Sequence, residues 1–126
     1  PLDSDHSSEF EAALRVSTDI PFKVSDWTVC DKVTGRVRPP RQNEFLFLIL
    51  ENPRYATYVQ WIDRKDGVFK ILDPEHVASL WYRVKNRRTQ GVMDYDTFAR
   101  GIRYYYKTGL MIKTHRKYTF RFNLRE

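Results

Sequence analysis

The chain lacks most of the residues that would build a disulfide, a metal site or a membrane segment. Cys30 is the only cysteine among 126 residues, so an intrachain disulfide is excluded. The three histidines are scattered, and no Cys/His group has metal-ligand spacing, so the sequence predicts no metal and no cofactor. The longest apolar run, Phe45 to Leu50, is far shorter than the roughly 18 residues that span a bilayer, and residues 1–10 are too acidic for a signal peptide. We therefore expect a soluble intracellular protein with no membrane partner.

Acidic residues are almost absent from the last third of the chain. Residues 81–125 hold twelve Lys or Arg but only Asp94 and Asp96 as acids. The formal net charge of +6 is uneven, because residues 1–40 carry a net −2 and residues 41–126 a net +8. Such a concentrated positive field is typical of a surface that binds phosphates, although a solvated basic face kept for solubility is the plain alternative.

Enzyme signatures are also missing. The motifs supply no nucleophile paired with a base, no phosphate-cradling glycine loop and no converging carboxylates. The sequence therefore predicts no catalytic residue, no small-molecule substrate and no enzymatic activity.

The composition indicates one folded domain with an N-terminal extension. Hydrophobic residues make up 41% of the chain, enough for a single core in a protein of this length. The prolines at Pro39-Pro40 interrupt regular structure and mark a boundary. We expect residues 1–40 to be a partly ordered extension, with a short helix at 10–16 and a strand turning at Thr34-Gly35, and residues 41–126 to form the domain.

Local patterns predict two hairpins and a helix in this domain. Tyr58–Ile62 and Val68–Leu72 are short β-rich segments joined through Asp66-Gly67, a strong hairpin signal. A helix begins after Asp73, with Asp73 as N-cap and Pro74 at the first helical position. Residues 110–113 and 118–122 form a second hairpin with a basic tip. The residues expected in the core are Trp61, Phe69, Phe120 and Phe122.

The segment FARGIRYYYKTG lies on a second amphipathic helix that begins after Asp94 and ends at Gly109. Its apolar stripe consists of Tyr95, Phe98, Ala99, Ile102 and Tyr106, at helical spacing. Arg100 and Arg103 lie one turn apart on the opposite face, so we expect both to point into solvent.

A helix with paired exposed arginines, followed by a basic hairpin, is typical of a helix that enters the major groove of DNA. The planar guanidinium can donate to O6 and N7 of one guanine, and each such contact discriminates by about 1–3 kcal/mol. A pair of arginines on a helix is by itself weak support, because exposed charges are usually only solvated. The scarcity of acids around this pair strengthens the DNA interpretation.

Two long motifs resemble the ETS DNA-binding domain. MDYDTFARGIRYYYKTGLMIK is similar to the family pattern M-N-Y-E-K-L-S-R-x-L-R-Y-Y-Y, and YVQWIDRKDGVFKILDPEHVASLWYRVKN is similar to its F-I-x-W…D-P-x-x-V-A-x-x-W-G-x-x-K-N segment. The resemblance covers about two thirds of the chain, from Arg41 to Leu124. It implies an α+β winged helix-turn-helix, with three helices on a small four-stranded antiparallel sheet. It also makes the apolar run at 45–50 the first helix, which periodicity leaves open.

The same resemblance implies which residues contact DNA. Arg100 and Arg103 would read the two guanines of a GGA core, with Tyr104 beside them. A backbone N–H at Gln42 would contact a phosphate. The positions implied for phosphate binding are Gln42, Trp81, Lys85, Arg87, Tyr95, Tyr105, Lys107, Lys113, Lys117 and Tyr118.

The sequence departs from the family pattern around the first helix and the turn. Gln42 and Asn43 replace a leucine and a tryptophan, Tyr82 replaces a glycine, and the turn before Met93 is about three residues longer than usual. The base-reading arginines themselves are unchanged.

The resemblance implies a nuclear transcription factor that regulates RNA polymerase II genes by binding double-stranded DNA at GGAA/T sites, together with other transcription factors or co-regulators. The alternative is a winged-helix module that binds a protein and has lost DNA specificity. The charge contrast also suggests that residues 1–40 pack on the domain and modulate DNA binding.

Overall fold

The computed structural model of the protein describes residues 20–86 and 91–124. The helix expected at 10–16 lies outside these residues. Within them, the helices are α1 (Gln42–Glu51), α2 (Pro74–Asn86) and α3 (Tyr95–Thr108), with short 3₁₀ helices at Val24–Trp27 and Pro53–Tyr55. The strands are β1 (Val29–Cys30), β2 (Val37–Arg38), β3 (Val59–Asp63), β4 (Val68–Ile71), β5 (Met111–Lys113) and β6 (Thr119–Phe122). None of these helices is long and apolar enough to cross a membrane.

A four-stranded antiparallel sheet with the order β3-β4-β6-β5 supports the helices. Side chains alternate across it, so Phe69 and Ile71 of β4 are buried while Lys70 between them is exposed. The second hairpin continues this pattern, since Phe120 is buried and the next residue, Arg121, is exposed. The predicted α+β fold of three helices on a four-stranded antiparallel sheet is confirmed.

The helix ends lie where the sequence predicts them. The Asp73 carboxylate accepts a hydrogen bond from the His76 N–H (3.2 Å), and Asp94 accepts one from the Thr97 N–H (2.8 Å). Gly109 ends α3 with φ of 83°, a left-handed conformation that glycine adopts without steric cost. These local caps fix the residues at which α2 and α3 begin and the residue at which α3 ends. They thereby help to set the direction in which the α3 arginines point.

Aromatic rings from all three helices form the centre of the core. Phe45 of α1 lies 5.1 Å from Trp81 of α2 and 6.3 Å from Phe98 of α3, measured between ring centroids. Residues 45–50 are thus helical, as the resemblance implies. Of the predicted core residues, Phe69 and Phe120 are buried, whereas Trp61 and Phe122 are only partly buried.

The residues before the proline pair share this core. Trp27 is only 3% exposed, and its ring lies 5.2 Å from Phe45 and 5.3 Å from Tyr55. Arg38 pairs with Glu44 at the start of α1 (2.8 Å). The strands β1 and β2 form a small hairpin around the expected turn at residues 34–35. The boundary at residue 40 remains a sequence prediction, and residues on both sides of it pack together.

Candidate nucleic-acid interface

Helix α3 presents Arg100, Arg103 and Tyr104 to solvent. Both arginines are exposed, and neither forms an ion pair with another residue in 20–86 or 91–124. Tyr104 is 62% exposed although it is a large aromatic residue. The pKa of Asp94 is lowered mainly by hydrogen bonds from Thr97, with a smaller Coulombic effect of Arg100. The two guanidinium groups therefore retain their hydrogen-bond donors for a ligand.

The opposite face of α3 packs on the core. Phe98 and Ile102 are fully buried, while Tyr95, Ala99 and Tyr106 are partly buried. This arrangement confirms the predicted amphipathic helix. Because the apolar face of α3 packs on the core, the opposite face with the arginines points into solvent.

A concave surface of about 440 Å³ lies between α3 and the tip of the β5–β6 hairpin. The structure brings five of the predicted contact residues together in its lining, namely Tyr95, Arg103, Lys113, Lys117 and Tyr118. His115 and Arg116 extend this lining at the hairpin tip. An acidic residue, Asp96, lies in the same lining, so the concavity is mainly rather than uniformly basic.

Tyrosine rings orient the lysines of this concavity. The Lys113 Nζ lies 5.5 Å from the centroid of the Tyr106 ring, and the Lys117 Nζ lies 5.1 Å from that of Tyr118. The Tyr95 and Tyr118 rings meet edge to face at 5.2 Å. Burial raises the pKa of Tyr95 to about 12, and its neutral hydroxyl can donate a hydrogen bond.

The start of α1 lies against α3. The Asn43 N–H donates a hydrogen bond to the Tyr105 hydroxyl oxygen (3.2 Å), and burial raises the pKa of that tyrosine. The Gln42 side chain turns inward, where its Nε2 donates to the Phe98 carbonyl oxygen (2.8 Å). The Gln42 amide group is therefore engaged within the protein, and the Gln42 backbone N–H at the helix start lies against the Tyr105 hydroxyl.

Helix α2 supplies less surface than the sequence suggests. Trp81 is 8% exposed and packs on Phe45, so little of its ring is available to a ligand. Lys85 is exposed in the last turn of α2, and Lys107 is exposed in the last turn of α3. Arg87 lies outside the described residues.

Two contacts of the divergent residues are visible only in the structure. A Cβ atom on Gly91 would lie 2.0 Å from the Tyr82 ring, so Gly91 packs directly on this tyrosine. A Cβ atom on Gly101 would lie 2.0 Å from the Gln42 Oε1. The sequence holds one signal for the second contact, because a glycine inside a helix costs about 1 kcal/mol relative to alanine and calls for a packing reason.

Metal ligands do not converge in the part of the chain that the structure describes. No three His, Cys, Asp or Glu residues there are placed to hold a metal ion. Cys30 is exposed.

The family is shown by comparison of the sequence with known proteins. The model of the Ets-domain family matches residues 39–123, more than half of the chain. The chain belongs to the Ets-domain family. The three helices and the antiparallel sheet are consistent with the winged helix-turn-helix of that family, as the motifs imply.

Similar proteins include "DNA-binding protein D-ETS-4" from Drosophila melanogaster, 49% identical over 74 residues, which are 58% of this chain and 14% of that protein. "Transcription factor Spi-C" from Bos taurus is 41% identical over 83 residues, 64% of this chain and 32% of that protein. "ETS translocation variant 4" from Homo sapiens is 40% identical over 81 residues, 63% of this chain and 16% of that protein. The matched region thus covers less than a third of each of these three relatives.

Proposed function

We propose that this Ets domain binds double-stranded DNA in a sequence-specific manner at GGAA/T sites, as the DNA-binding part of a nuclear transcription factor that regulates RNA polymerase II genes. The observation that carries the proposal is the exposed pair Arg100 and Arg103, one turn apart on α3 and without an acidic partner in the described residues. The names of the relatives support the same class of activity.

Base reading follows from the chemistry of this face. With α3 in the major groove, each guanidinium donates to O6 and N7 of one guanine, and the one-turn spacing suits adjacent guanines. Tyr104 lies next to Arg103 in the sequence and is exposed enough to contact a neighbouring base. Adenine offers a donor at N6 where guanine offers the O6 acceptor, so a G-to-A change removes one partner of a fork.

Phosphate contacts come from the surfaces on both sides of this face. The concavity between α3 and the hairpin tip, with Tyr95, Lys113, Lys117 and Tyr118, suits one DNA strand. Near the other end of α3, the Gln42 backbone N–H contacts a phosphate by exchanging its interaction with the Tyr105 hydroxyl for one with a phosphate oxygen. Lys85 and Lys107 are exposed and add positive charge.

The test is binding to a duplex that contains GGAA and to the same duplex with GAGA, at about 150 mM salt, where non-specific binding is weak. We expect a preference for GGAA of about 100-fold, which corresponds to two mismatched base pairs, one of them the second guanine of the core, at about 1–3 kcal/mol each. Arg100→Lys and Arg103→Lys keep the charge but lose the fork, so each should reduce the preference while the affinity for GAGA changes little. Equal, weak binding of both duplexes by the natural protein would refute the proposal.

A second candidate function is a protein-binding module, and one observation favours it. Phe47, Leu110 and Leu124 are large apolar residues that are exposed, and they line a groove of about 390 Å³ beside α1. This function predicts that Arg100→Ala and Arg103→Ala leave partner binding intact. The DNA-binding function predicts that either change destroys GGA discrimination. Binding of a co-regulator to this groove while the protein is bound to DNA is compatible with both the DNA-binding and the protein-binding function.

We further propose that the acidic N-terminal segment modulates DNA binding. Residues 1–19 contain five acids and one arginine, opposite in sign to the strongly basic domain. Deletion of residues 1–19 should raise DNA affinity, most strongly at low salt, because charge attraction is screened as salt rises. Unchanged affinity at every salt concentration, together with unchanged hydrogen exchange in residues 41–124, would refute this role.

A further inference from the structure

We propose that the Gln42 side chain is a positioning residue for DNA recognition, because it fixes helix α3 against the start of α1 and thereby sets where Arg100 and Arg103 meet the bases. The inference rests on the proposed DNA-binding function. It concerns the side chain of Gln42, whereas the phosphate contact proposed above uses only its backbone N–H.

The Gln42 carboxamide is enclosed between the two helices. The residue is 8% exposed, and its Nε2 donates to the carbonyl oxygen of Phe98 (2.8 Å), 56 residues further along the chain. Its Oε1 occupies the space that a side chain at residue 101 would need, since a Cβ atom on Gly101 would come within 2.0 Å of that oxygen and 2.9 Å of the Gln42 Cδ. Gly101 therefore creates the pocket that Gln42 fills.

A second contact joins the same two elements one turn further along α3. The Tyr105 hydroxyl accepts a hydrogen bond from the Asn43 N–H (3.2 Å). Residues 98, 101 and 105 follow i, i+3 and i+7 spacing and therefore share one face of α3. Two contacts at different heights on that face resist both sliding of α3 along its axis and rotation about it.

The arginines lie on the opposite face of the same helix. At 100° per residue, Arg100 and Arg103 are centred about 160° from the face formed by residues 98, 101 and 105. Rotation or sliding of α3 thus moves both guanidinium groups together relative to the start of α1. Binding groups need to be held within about 0.5 Å and 10–20° of their working geometry, and a bidentate contact with a guanine is sensitive to such shifts.

The experiment compares three variants with the natural protein. Gln42→Leu removes the amide group, and Gly101→Ala fills the pocket and displaces it. The double variant Gln42→Leu/Gly101→Ala replaces the hydrogen-bonded contact with an apolar one. Gln60→Leu is the matched control, because Gln60 is exposed on β3, on the face of the sheet away from the helices. Affinities for the GGAA and GAGA duplexes, their salt dependence and hydrogen exchange of α3 amides are measured on each folded protein.

We expect each single change to reduce the GGAA preference about tenfold, through weaker GGAA binding, with GAGA affinity and the salt dependence unchanged within twofold. Hydrogen exchange in residues 98–105 should increase in the single variants relative to the sheet. The double variant should recover most of the preference, since leucine and alanine refill the space between the helices. Gln60→Leu should behave like the natural protein.

Single variants that unfold at lower temperature but keep the natural GGAA preference would overturn the positioning role and leave Gln42 as a packing residue. Losses that simply add in the double variant would also overturn it, because they would show no coupling between residues 42 and 101. Failure of the proposed DNA-binding function is distinguishable from failure of the positioning role, because the natural protein itself would then show no preference for GGAA.

Discussion

Replacement of Trp27 by alanine is expected to lower the free energy of unfolding by about 3–5 kcal/mol, the range for a buried tryptophan. Trp27 precedes the region that matches the Ets-domain family, yet it is 3% exposed and its ring contacts Phe45 and Tyr55 within 5.3 Å between centroids. Alanine would leave a cavity among these rings, and rings anchored on a helix and a 3₁₀ turn can collapse only partly into it.

The expected loss is large relative to the about 5–15 kcal/mol that stabilises a typical domain. For a domain of this size, 1 kcal/mol shifts Tm by about 4–8 °C, so the change should lower Tm by roughly 12–40 °C. Removal of residues 1–38 deletes Trp27 together with the Arg38 contact to Glu44 and should cost at least as much. Removal of residues 1–19 leaves both contacts in place.

Urea denaturation followed by far-UV circular dichroism measures these changes. Val33→Ala is the control, because Val33 is 94% exposed and surface changes usually stay within about 0.5 kcal/mol. A loss below about 1 kcal/mol for Trp27→Ala, or equal stability of residues 39–126 and 20–126, would refute the prediction that residues 20–38 stabilise the folded domain.

The other predictions concern charge. If five or six phosphates are neutralised, log affinity should fall with log salt at a slope of about −5. Lys113→Ala should make this slope shallower by about 0.9 without changing the GGAA preference. An unchanged slope would show that Lys113 does not contact a phosphate. The hydrogen bond from Arg38 holds the pKa of the Glu44 carboxyl below its usual value of 4.5. A lowered folded-state pKa means that this contribution to stability is complete above about pH 4.5 and is lost as the pH falls through the folded-state pKa. Glu44→Gln should therefore lower stability at pH 7 and flatten its decline in acid, as measured by urea denaturation between about pH 2.5 and 7; an equally steep decline would contradict this assignment.

Local chemistry was sufficient to predict much of the fold and the central part of the site. Asp73, Asp94 and Gly109 mark helix ends through contacts within a few residues, and apolar spacing gives the phase of α3. Once that phase is known, Arg100 and Arg103 must share an exposed face. The apolar run in α1 has no period, so only its resemblance to the Ets domain assigned it to a helix.

The degree of burial of a side chain depends on packing between elements that are distant in the sequence. Trp61 and Phe122 were expected in the core because they alternate within strands, but they pack against the core and remain partly exposed. Trp27 lies in the extension that the charge contrast suggested would pack on the domain, and it is among the most buried residues, an extent of burial that no local pattern around it indicates. Alternation identifies the inner face of a strand, but the extent of cover on that face depends on neighbouring elements.

The sequence by itself determined the family, the order of helices and strands, the basic character of the second half of the chain and the common face of Arg100 and Arg103, because these follow from motifs, composition and interactions between near neighbours. Only the tertiary structure decided that Gln42 turns inward onto Phe98 and Gly101, and that Tyr82 packs on Gly91. The contacts of Gln42 join residues that are far apart in the chain. The spacing of side chains within one helix indicates which face of that helix is buried, but it does not indicate which residues of another helix pack on that face.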